Sequence, residues 1–148
     1  MILVTTIVLT MLAGVEAPRV EDAILGVRIG SVSGDVQVKL GARGTVDTRP
    51  TREGGAKQVW TLTGTPFSSL ALKTDAAGRV VWVSGFVRPG QEIPFKELGD
   101  LARASAASAS RVVWDVPTAH GGYRLIARGS GRRAQTVSLL SFDSEAEK

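Results

Sequence analysis

Three neighbouring runs of alternating apolar and polar residues within Gln58–Val87 constrain this chain more than any other feature. Period two places successive side chains on opposite faces of a strand. The turn at Asp75–Gly78 ends in a glycine, which suits a backbone position of positive φ. The stretch therefore predicts an antiparallel meander of three strands. These strands are Gln58–Gly64, Ser68–Thr74 and Arg79–Val87.

The alternation divides the predicted meander into a core face and a second face. The core face carries Trp60, Leu62, Leu70, Leu72, Val81 and Val83. The second face carries Thr61, Thr63, Lys73, Trp82, Ser84 and Phe86. Aromatic side chains among hydroxyls and a lysine are typical of a recognition surface. Two interpretations stay open: Trp82 and Phe86 bind a partner, or they pack against another part of the chain.

The residues before the meander predict a short strand, a helix and a loop. Ile24–Ile29 is the strand, and the apolar repeat every four residues from Val32 to Leu40 indicates a helix that docks on the sheet. Gly41 follows at the position where a left-handed cap is easiest for glycine. The polar segment Gly44–Lys57, with its proline and paired glycines, predicts a mobile connecting loop.

The second half of the chain repeats this order in a divergent form. Ile93–Ala104 predicts a helix, and the low-complexity segment Ala104–Ser110 predicts a frayed helix end or a flexible connector. Three more strands are predicted at Arg111–Val116, Gly122–Arg128 and Arg133–Phe142. Matching residues lie fifty-odd positions apart, which indicates a repeat. The matches are Leu40-Gly41 with Leu98-Gly99, Trp60 with Trp114, Leu72 with Leu125, and Gly78-Arg79 with Gly131-Arg132.

The expected fold class is therefore α+β, with two divergent repeats. Each repeat is a short helix or helical pair packed on an antiparallel sheet of three to four strands. The predicted division of the chain is a signal peptide at 1–17, a first unit at 18–88, a second unit at 89–143 and a disordered tail at 144–148.

A short helix, a polar loop, a strand with a tryptophan and two further strands follow one another in the first unit, and its marker residues are Gly30, Leu40, Gly41, Leu72, Gly78 and Val80. On this pattern the first unit resembles the BamE-like outer-membrane assembly proteins, and two such units in tandem resemble the β-lactamase inhibitory protein architecture. The resemblance implies protein binding, either in an assembly complex or as an inhibitor. The chain lacks the lipid-modified cysteine of the assembly lipoproteins and the disulfides of the inhibitor, so neither specific role carries over.

The N-terminus predicts export. Ile2–Leu12 is an apolar run too short to span a bilayer, and Val15 and Ala17 are small residues at the −3 and −1 positions of a cleavage site. No lysine or arginine precedes the run, so a mis-annotated start and a buried N-terminal strand are the alternatives. We expect a periplasmic or extracellular protein that is not lipid-anchored.

The residue inventory argues against catalysis. Without cysteine and with one histidine, the chain has no thiolate nucleophile and no clustered zinc ligands. His120 is expected to be an ordinary loop residue. The stretch Gly129–Ala134 matches a dinucleotide fingerprint in letters, but strand-like residues follow it, so we interpret it as a turn. No catalytic residue, metal or cofactor is predicted.

The basic residues indicate an anionic partner. The chain holds 18 lysines and arginines against 14 acids. The predicted partner-binding residues are Trp82, Phe86, Lys73, Arg124, Arg128, Arg132 and Arg133. Arginines grip carboxylates and phosphates bidentately. The leading hypothesis is a non-enzymatic module that binds a protein, acidic in character, or an anionic envelope surface, and not nucleic acid. The alternatives are a small exported hydrolase and a structural component associated with the outer membrane.

Overall fold

One continuous antiparallel sheet dominates the computed structural model, which describes residues 19–119 and 121–142. In chain order its strands are β1 (Gly44–Pro50), β2 (Ala56–Leu62), β3 (Phe67–Thr74), β4 (Val80–Val87), β5 (Ile93–Pro94), β6 (Ala106–Ala107), β7 (Arg111–Thr118), β8 (Gly121–Ser130) and β9 (Arg133–Ser141). Their spatial order is β1-β2-β3-β4-β9-β8-β7-β6, and β5 pairs with β9 off this path. The helical elements are α1 (Ser33–Leu40), α2 (Phe95–Leu98) and a 3-10 turn at Leu101–Arg103.

The prediction of two α+β repeats is wrong, because β4 and β9 pair directly. Trp82 lies opposite Leu140 and Phe86 lies opposite Thr136 across this ladder. A free-standing meander would expose the unpaired N–H and C=O groups of its last strand to water or to another chain. In the structure, β4 and β9 hydrogen-bond to each other through these backbone groups, so the sheet continues from β1–β4 into β9, β8, β7 and β6.

All six strands predicted from alternation are confirmed, with boundaries shifted by a few residues. They correspond to β2, β3, β4, β7, β8 and β9. The helix predicted up to Leu40 is also confirmed as α1, and its Val36 and Leu40 are fully buried. The expected left-handed cap is wrong, because Gly41 has right-handed helical angles, with φ −59° and ψ −31°. The stretch Ile24–Ile29 is not a strand of the sheet; Ile24 and Val27 instead bridge each other across a tight turn.

The predicted loop at Gly44–Lys57 is wrong, because most of it is strand. β1 covers Gly44–Pro50 and pairs with β2 along its whole length. Its side chains are mostly exposed, so it lacks the apolar alternation that marks an inner strand. The Thr63 amide donates to the Arg43 carbonyl and the Thr51 amide donates to the Gly55 carbonyl, just beyond the two ends of this pairing. The N–H and C=O groups of the intervening even-numbered residues therefore point toward the free edge. Pro50 is one of these even positions, so its missing N–H costs the ladder no bond.

The long helix predicted at Ile93–Ala104 is also wrong. Only Phe95–Leu98 is α-helical, and Gly99 is extended, with φ 179° and ψ 166°. A Cβ on Gly99 would lie 2.8 Å from Cε2 of Trp114, so this backbone packs directly on the indole ring. Asp100 then accepts a bond from the amide of Ala102 and starts a separate 3-10 turn. The predicted connector 104–110 contains the short strand β6.

The hydrophobic core lies on one face of the sheet. It joins both halves of the chain, with Trp60 and Leu72 from one half and Trp114 and Leu139 from the other, all almost fully buried. Both indole N–H groups have partners, Gln58 Oε1 at 3.0 Å for Trp60 and the Asp100 carbonyl at 2.8 Å for Trp114. The predicted core face is confirmed, except that the β-bulge near Thr74 buries Val80 and leaves Val81 only partly buried.

Gly85 occupies the most crowded core position of β4, the strand at the junction. A Cβ there would lie 2.6 Å from two ring carbons of Phe67 and 3.1 Å from Cγ2 of Ile24. We expect Gly85→Ala to lower the free energy of unfolding by about 1–3 kcal/mol through overpacking. Urea denaturation measures the change.

The matched control is Gly34→Ala in α1, where nothing lies within 4 Å of the added carbon. Alanine is the better helix former, so this variant should gain about 0.5–1 kcal/mol. Equal stability of the two variants would contradict the packing argument.

Candidate functional site

The sheet face opposite the core, here called the outer face, carries three rows of side chains set by the strand register. The first row is Lys57, Lys73, Trp82, Leu140, Arg124 and Asp115. The middle row is Val59, Ala71, Ser84, Ser138, Ile126 and Val113. The third row is Thr61, Ser69, Phe86, Thr136, Arg128 and Arg111. The helix α1 packs on the opposite face, where its Val36 and Leu40 are buried in the core.

The structure brings five of the predicted partner-binding residues onto this one face. They are Trp82, Phe86, Lys73, Arg124 and Arg128. They meet because β9 and β8 continue the sheet beyond β4, which the sequence alone did not indicate. Phe86 is 42% exposed and Trp82 is partly exposed, so neither is buried beneath the second half of the chain. Of the two interpretations of this aromatic pair, the exposure favours a surface role.

The middle row forms the floor of a shallow trough. Ala71 and Ser84 are small and only 7% and 5% exposed, because larger neighbours flank them on the same strands and beside them. The hydroxyls of Ser84 and Ser138 hydrogen-bond to each other at the β4–β9 junction. This bond satisfies both groups, and no base of the described residues contacts either of them.

A groove of about 410 Å³ extends the outer face over β1 and β2. Asp47 and Arg49 line one side of it and Lys57 and Val59 the other. The Arg49 Nε lies 3.2 Å from the Asp47 carboxylate, and both side chains are well exposed. Val59 is 39% exposed and offers an apolar contact between these charges.

Arg124 and Asp115 form an ion pair across β7 and β8. The Arg124 Nε lies 2.6 Å from Asp115 Oδ1. The hydrogen bond from Arg124 lowers the pKa of Asp115, and Ser105 contributes in the same direction, although partial burial opposes them. Arg124 was predicted to bind a partner, but it already has an ion-pair partner within the protein.

Arg128 and Arg111 form a second cross-strand pair of β8 and β7, but both of these side chains are positively charged. They lie directly opposite each other on β8 and β7. The neighbouring pair bonds through the Gly129 amide and the Ser110 carbonyl, so the arginines form a non-hydrogen-bonded pair, in which side chains approach most closely. No ion pair among the described residues includes either guanidinium.

Lys57 and Lys73 form a second like-charge pair at the far corner of the face. They are register partners across β2 and β3, and both are exposed. Like charges directly opposite each other destabilise a sheet. The outer face thus has two uncompensated cationic corners on a diagonal, with the aromatic side chains between them.

Arg132 and Arg133 lie beside the face, in and after the β8–β9 turn. Gly131 and Arg132 have φ of 59° and 62°, which makes a tight hairpin with two left-handed residues. The predicted interpretation of this stretch as a turn is confirmed. Arg133 Nη1 bonds to the Glu92 carbonyl at 3.4 Å, while the Gly90 amide lowers the pKa of the Glu92 carboxylate. Arg133 is therefore turned toward β5, away from the aromatic side chains.

Sequence reasoning missed Arg111, Lys57 and the groove. Lys57 was assigned to a loop, and Arg111 begins a strand whose partner was unknown. The only signal that finds these residues is the register of β7 with β8 and of β2 with β3.

Several predictions fall outside what the structure describes. The signal peptide, His120 and the tail Ser144–Lys148 lie outside the described residues. Within 19–119 and 121–142, no three of His, Cys, Asp and Glu are grouped as metal ligands. No helix in the same ranges is long and apolar enough to cross a membrane.

No protein-family model, curated protein or solved structure matches the chain. The resemblance to BamE-like proteins and to the β-lactamase inhibitory protein architecture therefore stays a prediction, and the geometry of the outer face has to carry the functional argument.

The Asp115–Arg124 pair predicts a pH-dependent contribution to stability. Because the folded-state pKa of Asp115 is lowered, the contribution is present above the unfolded pKa and is lost as the pH falls through the folded value. At pH 7 we expect Asp115→Asn to cost less than about 1 kcal/mol, as exposed pairs do.

Urea unfolding of both proteins from pH 7 down to pH 2 checks this expectation. The two stability curves should converge at the acidic end, where the carboxylate is protonated in both states. A difference that persists unchanged at the lowest pH would show that Asp115 acts through packing and not through charge.

Proposed function

We propose that this chain is an exported, non-enzymatic binding module that docks an acidic partner protein on the outer face of its sheet. The observation that carries the proposal is the joint exposure of Phe86 and Trp82 on a face whose remaining charges are mostly basic. Exposed aromatic residues with arginine nearby are the residue types that dominate binding energy at protein interfaces.

The charge of the outer face favours an acidic partner. Its two acids, Asp47 and Asp115, are each paired with an arginine of the same face. The cations of this face that form no ion pair within the described residues are Lys57, Lys73, Arg111 and Arg128. An approaching acidic surface gains attraction from these cations without breaking an internal pair, which raises the association rate and favours the partner over neutral proteins.

The dimensions of the face suit a protein partner. Seven strands spaced by about 4.8 Å make it roughly 34 Å wide, and three rows with their flanks extend roughly 20 Å along the strands. The resulting area, on the order of 700 Å², is close to the roughly 800 Å² that one partner contributes to a standard interface. The trough floored by Ala71 and Ser84 gives this surface a shape that a partner's side chains can enter.

Truncation of the aromatic side chains tests the proposal. We expect Trp82→Ala and Phe86→Ala each to weaken binding about tenfold or more, since central aromatic contacts are worth more than about 1.4 kcal/mol. Arg128→Ala should mainly slow association and reduce its dependence on salt.

The partner is first isolated by affinity capture with residues 18–148 from the native envelope extract, and each variant is then measured against the purified partner by surface plasmon resonance. Val38→Ala is the matched control, because Val38 is an apolar residue 82% exposed on α1, on the other side of the sheet. Full affinity in both aromatic variants would refute docking on the outer face. Binding of the protein to anionic vesicles, lost in the same variants, would assign the face to an envelope surface instead.

A further inference from the structure

We propose that Arg111, Arg128 and Arg132 form a binding site for a doubly charged phosphate group at one corner of the outer face. The site goes beyond the proposed function, because its ligand is a small anion that can be measured without any protein partner. Arg111 and Arg128 are paired unfavourably within the sheet, Arg132 lies beside them in a left-handed conformation, and guanidinium groups suit a phosphate.

Two cross-strand pairs of β7 and β8 differ in the charges that they bring together. Asp115 with Arg124 and Arg111 with Arg128 are both register pairs of β7 with β8, four residues apart on the same face. Both belong to the non-hydrogen-bonded type, in which side chains lie closest. The former is an ion pair at 2.6 Å, whereas the latter places two positive charges against each other. A bound anion converts this repulsion into attraction.

Arg132 has a left-handed backbone conformation close to the start of β7. Its φ of 62° is in the left-handed region, which costs an L residue other than glycine, asparagine or aspartate free energy. Its amide donates to the carbonyl of Ala109, two residues before Arg111, so the turn and the start of β7 are adjacent. Within residues 19–119 and 121–142, the guanidinium group of Arg132 forms no hydrogen bond or ion pair. The two-residue hairpin requires the left-handed conformation at this position, so the turn fixes the backbone of Arg132 beside the start of β7 and leaves its guanidinium group available to an anion.

The two cationic corners of the outer face differ in residue type. This corner uses arginine throughout, whereas the opposite corner of the face uses Lys57 and Lys73. A guanidinium is planar, more weakly hydrated than an ammonium, and donates two parallel hydrogen bonds to an oxyanion. Three guanidinium groups with no acid beside them match a phosphate monoester, which presents three oxygens and nearly two negative charges, better than a carboxylate.

The first experiment titrates the full chain with inorganic phosphate at pH 8 and constant ionic strength, followed by amide chemical shifts. Residues 108–111 and 128–132 should shift in a saturable way. Arg128→Gln and Arg111→Gln should each weaken binding about fivefold. The double variant Lys57→Gln/Lys73→Gln removes the same kind of charge from the same face and should bind phosphate as the parent does.

Arg132→Gly separates binding from folding. We expect its melting temperature to equal or exceed that of the parent, because glycine relieves the left-handed strain, while phosphate binding weakens about fivefold. A residue with a purely structural role would not show opposite effects on the two measurements. Unchanged phosphate binding in this variant would remove Arg132 from the site.

The pH dependence identifies the charge state of the ligand. With phosphoserine as the probe, binding should weaken between pH 8 and pH 5, because the ligand loses its second charge near pH 6. Glutamate should bind more weakly than phosphoserine at pH 8. Equal binding of glutamate, or equal losses in the arginine and lysine variants, would overturn the proposal and leave only an effect of net charge.

Two further probes distinguish the source of the phosphate. Binding to phosphatidic-acid vesicles but not to soluble phosphoserine assigns the site to a lipid headgroup, and the reverse assigns it to a soluble phosphate ester. Binding of neither, together with no saturable shift by inorganic phosphate, refutes the site. Failure of the aromatic variants to affect a protein partner would leave this result untouched.

Discussion

The ladder between β4 and β9 is the contact on which the rest of the structure depends. It joins two groups of antiparallel strands edge to edge, so that each group satisfies the backbone polar groups that the other would otherwise expose. It also merges the two apolar surfaces into one core, in which Trp60 and Trp114 are equally buried although they belong to different halves of the chain. The same junction places Phe86 and Arg128 two strands apart on the outer face.

The centre of the junction contains small residues, and this has consequences on both faces. On the core side Gly85 allows the ring of Phe67 to pack against the backbone of β4. On the outer side Ser84 and Ser138 bond to each other and leave a low floor between larger side chains. Bulky side chains at these central positions would fill the trough and clash with Phe67. The hydrophobic stabilisation of the junction comes from its other core positions, where Val83, Leu139 and Val137 are almost fully buried.

Local patterns in the sequence were sufficient for the inner strands and insufficient for everything that depends on pairing. β2, β3 and β4 alternate clearly because one face of each is buried, so Lys73, Trp82 and Phe86 were assigned to the correct face. β1 was predicted as a loop because this edge strand has mostly exposed side chains and carries no such alternation. The ladder of β4 with β9 joins residues about fifty positions apart, and no local signal specifies it. Arg111 was missed for the same reason, since its significance comes only from lying opposite Arg128.

The distribution of charge on the outer face is difficult to explain by stability alone. A sheet selected only to fold would place acids opposite its bases, as it does for Arg124 and Asp115. Instead, cations face each other at both ends of a diagonal, and each such pair weakens the fold slightly. The cost is small beside the burial of the core, so the fold tolerates it. An anion bound at either corner would relieve this repulsion, so binding would also stabilise the sheet.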